Sequence, residues 1–89
     1  MSTERSLSTE YEATEDVYNA VIGQMYTERR KHEQGSDTFN QLDEKLDALI
    51  SNRNNLDSFS LAELAEQRRT LKKDINNFIR QVAIAATNI

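Results

Sequence analysis

The sequence contains no cysteine, no proline and no tryptophan, and only two glycines in 89 residues. Without cysteine there is no disulfide framework and no thiolate metal site, and the chain is compatible with any redox compartment. With proline absent and glycine rare, the strongest helix breakers are missing, which points to an all-α protein. No apolar run approaches the roughly 18 to 20 residues needed to span a bilayer, so no membrane partner is expected. The opening MSTERSLSTE has no apolar core of signal-peptide type and already carries acids. A cytoplasmic location is the default expectation, although export by a leaderless secretion system would leave no such mark.

The same sparseness limits the chemistry. A phosphate-cradling loop needs glycines that the chain lacks, and no Gly-x-Ser-x-Gly elbow is present. His32 is the sole histidine. With no second histidine or cysteine it cannot build a zinc site, and in the basic last turn of a helix it reads as a surface residue facing the helix end. Asp43, Glu44 and Asp47 place two carboxylates on one helix face at i, i+4, a pattern normal for a solvated surface. The expectation is a protein that is not an enzyme, with no cofactor, no metal and no small-molecule substrate.

What is present is apolar periodicity. Leu61, Leu64, Arg68, Leu71, Ile75, Phe78, Val82, Ala85 and Ile89 recur at steps of three and four, the spacing of one face of a long α-helix. Ser60 and Glu63 form a capping box at its start. A second stripe, Phe39, Leu42, Leu46, Leu49, Arg53 and Leu56, begins after a cap at Ser36 or Asp37 and stops in the Asn- and Ser-rich run 52–60. A first helix is placed from Thr9, at capping-box spacing from Glu12, with Tyr11, Thr14, Val17, Tyr18, Val21, Ile22 and Met25 inward; Arg29, Arg30, Lys31 and His32 follow, then Gly35. The predicted fold is an all-α, three-helix up-down-up bundle, approximately 9–33, 37–54 and 60–87. A flexible, disordered N-terminal arm over 1–8 precedes a single helical domain over 9–89.

Within this plan the hairpin Phe39 to Ile79 is expected to form the most regular core, with Leu42 near Ile75, Phe39 near Phe78 and Leu49 near Arg68, and with the first helix packing across the third. Gly23, inside a helix, costs about 1 kcal/mol relative to alanine. A close approach by a neighbouring helix is the expected reason and a functional hinge the alternative. Arg53 and Arg68 interrupt apolar heptads; they are expected to lift their guanidinium groups into water beside Asp57 or Glu63, or else to fix register.

At about 40 Å the third helix outruns the second, at about 26 Å. Its end, IRQVAIAATNI, is apolar around more than one face. Ile79, Val82, Ala83, Ile84, Ala86 and Ile89 are therefore the candidate partner interface, unless the first helix covers them. Net charge is −4 overall, yet residues 60–89 hold five bases against three acids. Arg69, Lys72, Lys73 and Arg80 make an outer strip suited to an anionic partner. Nucleic acid is possible but not favoured, since no aromatic side chain interleaves the strip and the overall charge opposes it. An acidic protein surface, such as the Glu10 to Asp16 turns of a second copy, fits as well. The functional expectation is a protein–protein interaction module, self-associating as a homo-oligomer, acting as adaptor, chaperone-like binder or inhibitor through the C-terminal helix. A weak, sequence-independent nucleic-acid binder is an alternative.

The run LDEKLDALISNRNNLDSFSLAELAEQRRTLKKDI, Leu42 to Ile75, resembles small helical head-to-tail joining proteins of tailed phages: an amphipathic helix, a brief connector, then a capped helix with Leu and Arg repeats. The resemblance implies a ring-forming structural adaptor between portal and tail, and a virion location. The connector departs from many such proteins in lacking a glycine and a strand-like segment.

Overall fold

The computed structural model describes the backbone of residues 3–87 and the side chains of residues 8–87. Three α-helices, α1 (Thr3–Arg29), α2 (Asp37–Asn54) and α3 (Leu61–Thr87), are joined by a loop at 30–36 and by a 3-10 turn at Leu56–Ser58. No strand occurs among the described residues. Side-chain bonds fix the directions. Thr14 meets Leu64, Tyr18 meets Gln67 and Gln24 meets Asn76, so α1 and α3 run parallel. Arg29 meets Asp43 and Asn19 meets Arg53, so α2 runs against α1. The bundle is up-down-up, as expected, and forms a rod of 55 × 19 × 17 Å.

The core lies along α1. Tyr18, Val21, Ile22 and Met25 of α1 pack with Leu42, Leu46 and Leu49 of α2, Leu56 of the turn, and Leu64, Ile75 and Val82 of α3. Helix α1 packs extensively on both α2 and α3, whereas α2 and α3 touch each other sparingly. The expected division is thereby corrected: the Phe39–Ile79 hairpin is not the most regular core, because α1 lies between its two arms. Phe78 meets Lys45, whose ammonium lies 5.6 Å from the ring centre, while Phe39 lies under the Arg29 guanidinium at 5.1 Å. The cause is in the α1 sequence, whose inward positions carry two β-branched residues, a methionine and a buried tyrosine, enough apolar area to serve two neighbours.

The ends of the helices are set locally. Ser36, extended at φ −70°, ψ 159°, caps α2 by accepting from the Phe39 N–H at 3.2 Å. At α3 the expected capping box is complete: the Glu63 N–H donates to Ser60 Oγ at 3.2 Å and the Ser60 N–H donates to Glu63 Oε1 at 2.8 Å. The Ser60 backbone N–H, and after it the Ser60 hydroxyl, hold the Glu63 carboxyl below its ordinary value. Helix α1 is different. It begins at Thr3 rather than Thr9, since nothing before Thr9 breaks a helix and a capping residue within a helical run does not end it. The arm expected over 1–8 lies, at residues 1 and 2 and in the side chains to residue 7, outside the described residues. α1 closes at Arg29 through tightened turns, with the Lys31 and His32 N–H groups donating to the carbonyls of Glu28 and Arg29 at 3.1 Å each. Gly35, at φ +89°, then turns the chain in the left-handed region.

Gly23 departs from expectation. It is exposed, and a Cβ built there would meet nothing within 4 Å, so no neighbouring helix explains it. The two arginines also find other partners. Both reach α1: Arg53 donates to Asn19 Oδ1 at 3.1 Å, and Arg68 makes a two-pronged bond to Glu10 at 2.6 and 3.1 Å. They tie the seams of a helix that the hairpin expectation had left aside.

Candidate functional site: the outer face and upper end of α3

Because α1 and α3 are parallel, their relative height can be read from one contact. Helix α1 begins eleven residues before Thr14 and α3 three residues before Leu64, so α1 starts about 12 Å below α3. At the other end α3 runs past the level of Arg29, accompanied on one side by the first turns of α2. There its inward face is in use: Val82 is buried and Ile79 packs against the core. Opposite them Ile84 stands 53% exposed. Ala83 and Ala86 are half-buried. Arg80, Ala83, Ile84 and Thr87 outline a shallow depression of about 360 Å³.

Of the residues named from sequence as a partner interface, Ile79 and Val82 therefore belong to the interior. Ala83, Ile84 and Ala86 remain at the surface or its edge, and Ile89 lies outside the described residues. The signal that could have separated them is angular. Ile84 lies half a turn from Ile75, whereas Val82 falls almost directly above it on the same face.

The basic strip continues this surface downward. Arg69, Lys72, Lys73 and Arg80 are all exposed. Arg69 pairs with Glu66 on its own helix, while Lys72, Lys73 and Arg80 have no ion-pair partner among the described residues. An exposed i, i+3 pair contributes little in water, so Arg69 can exchange Glu66 for another carboxylate at small cost. The acidic turns of α1, by contrast, are only partly free. Glu10 is held by Arg68, whereas Glu12, Glu15 and Asp16 are exposed and unpaired among the described residues.

The polar groups buried in the rod are structural. Thr14, fully buried, donates its hydroxyl to the Glu10 carbonyl at 2.7 Å and lies 3.3 Å from the Leu64 carbonyl. Tyr18 donates to Gln67 Oε1. Burial raises the Tyr18 hydroxyl above its ordinary value, and a bond with Asn52 acts in the opposite direction. One hydroxyl of α1 thus engages both other helices. Tyr11, half-buried at the lower end, is raised by burial and by the nearby charges of Asp57 and Glu15. His32 bonds Glu28 at 3.2 Å beside Lys31, and Asp43 is taken up by Arg29, leaving Glu44 and Asp47 exposed. Among the described residues no group of three or more acids and histidines is placed to hold a metal ion, and no helix is long and apolar enough to cross a membrane. A second shallow depression, between α2 and α3, is lined by Gln41, Glu44, Lys45, Ala48 and Phe78.

No family model matches the chain, and neither a curated protein nor a solved structure matches it.

Proposed function

We propose that this protein is a non-enzymatic docking module that binds another protein surface through the outer face and upper end of α3. The observation that carries the reading is Ile84. It is a large aliphatic side chain, 53% exposed, on a helix whose opposite face is fully used by the core. Ile84 does not stand alone: with Arg80, Ala83 and Thr87 it outlines a shallow depression that continues the exposed strip, and a grouped apolar surface of this kind is what marks a contact. Below it on the same side of α3 lie Arg80 and Lys73, which have no ion-pair partner among the described residues, and this favours an acidic protein surface over an apolar one. A structural adaptor of a phage tail is one setting in which such docking would serve.

A photo-crosslinking side chain placed at position 84, with position 47 on the far face of α2 as control, tests the reading in the source cell. Protein adducts at 84 but not at 47 are expected. Adducts to nucleic acid would move the function to the strip Arg69–Arg80, and no adduct at 84 would remove the docking reading altogether.

A further inference from the structure

The outer strip of α3 and the outer face of α1 share one spacing. Arg69, Lys73, Arg80 and Ile84 follow each other at intervals of four, seven and four residues, and so do Glu12, Asp16, Gly23 and Thr27. All eight are exposed, and each set lies on one side of its helix. Laid side by side in the same direction, the two faces put Arg69 against Glu12, Lys73 against Asp16, and Ile84 against Thr27 with Gly23 one turn below.

We propose that the partner is a second copy of this chain, its α1 outer face seated on the α3 strip of the first, with the helices parallel, Ile84 beside Thr27 and Arg80 passing over Gly23. This rests on the docking reading and gives it an occupant. Charge complementarity selects the face: Lys73, Glu12 and Asp16 lack ion-pair partners among the described residues, and Arg69 is held only by an exposed pair with Glu66 on its own helix. Direction is selected by Ile84. Running the helices oppositely can still bring Arg69 and Lys73 to Asp16 and Glu12, but it carries Ile84 below the start of α1 at Thr3. In the parallel arrangement Ile84 stays on α1 beside Thr27, and Arg80 passes over Gly23, where a Cβ would meet nothing within 4 Å. The helix-interior glycine, unexplained inside one copy, thereby acquires a use between copies.

The contact joins two different faces, so it is heterologous: a pair still has one face of each kind free, and the assembly either closes into a ring or extends. From Arg69 to Ile84 the strip is only about 22 Å long. That is less than a standard stable interface uses, and the charges are at its rim, so association in the micromolar range with a marked salt dependence is expected.

The absence of cysteine makes the test clean. Mixing Thr27→Cys with Ile84→Cys chains under mild oxidation should give the 27–84 heterodimer in preference to 84–84 or 27–27 homodimers. In sedimentation at low salt, Glu12→Lys with Asp16→Lys, or Arg69→Glu with Lys73→Glu, should each weaken self-association about tenfold or more, and the two reversed chains mixed together should recover it. Gly23→Leu, at an exposed helical site, should keep the helical signal and thermal stability while weakening association. A preference for 84–84 crosslinks overturns the proposal, as does binding of a single-stranded oligonucleotide by a chain that stays monomeric. A chain monomeric at about 500 μM in low salt that still crosslinks from position 84 to another protein overturns the self-docking but leaves the docking function in place. Failure of both crosslinks removes both.

Discussion

The lower half of the rod and the upper end of α3 are cut from similar amphipathic helix, yet they differ in how many neighbours each position answers to. Around Thr14 and Tyr18, α1 is bound on two sides: toward α3 a buried hydroxyl lies against the Leu64 carbonyl, a tyrosine hydroxyl engages Gln67 and Glu10 grips Arg68 with both oxygens, and toward α2 Asn19 accepts from Arg53. Around Ile84 only one side of the helix has a neighbour. A residue in the first region is constrained by packing and by satisfied polar groups, and one in the second is constrained only by remaining helical. Side chains of the first kind report on the fold, whereas those of the second are free to report on something outside it.

Substitutions can break or sharpen that contrast. The largest effect is expected from Leu64→Ala, which removes a fully buried side chain beside Thr14 and should cost about 2–5 kcal/mol, a large share of the stability of so small a domain. Denaturant unfolding measures it. Tyr18→Phe should cost about 1 kcal/mol near neutral pH, and it has a pH signature as well. The Tyr18 hydroxyl is raised when folded, so its contribution is complete below the ordinary tyrosine value near pH 10 and is lost as pH climbs toward the folded value, because the unfolded chain ionises first. The wild-type midpoint should therefore fall more steeply in alkali than that of the phenylalanine variant.

The two glycines give matched effects of opposite sign. Gly35→Ala forces a side chain into φ +89° and should cost about 1 kcal/mol or slightly more. Gly23→Ala, with empty space where the methyl group would go, should stabilise the monomer by up to about 1 kcal/mol. Thermal melts at low protein concentration separate them. Ile84→Ala closes the series: measured on dilute protein, its effect on folding should stay within about 0.5 kcal/mol, and a larger loss would show that the upper end is packed after all.

The sequence made the helices legible because each carries a stripe long enough to specify its own period, and the Ser36 and Ser60 caps sit where the stripes begin. It did not show which helix lies in the middle. Regular heptads in α2 and α3 suggested a hairpin core, but regularity measures how straight a seam can be, not how many seams a helix serves. Tyr18 and Thr14 in the α1 stripe were the available clue, since polar atoms on an inward face need partners on a neighbouring helix. Arg53 and Arg68 were misplaced for the same reason: with α1 set aside, the loop offered the nearest acids, whereas the folded chain brings Glu10 and Asn19 closer. Of the candidate site, the strip was readable as a line of bases. That Val82 and Ile79 turn inward while Ile84 turns outward depended on where the other two helices stand.

Putting α1 between its partners also sets the order of events when the chain folds. Thr14 and Leu64 are separated by 50 positions along the chain, so the α1–α3 seam can close only after a long loop has been gathered in, while α1 and α2 meet across a short turn. Closure entropy grows slowly with loop length but is met before any long-range contact repays it. An α1–α2 pair without α3 would leave one flank of Tyr18, Val21 and Met25 in water, so the core is closed only by the contact that spans the longest stretch of chain.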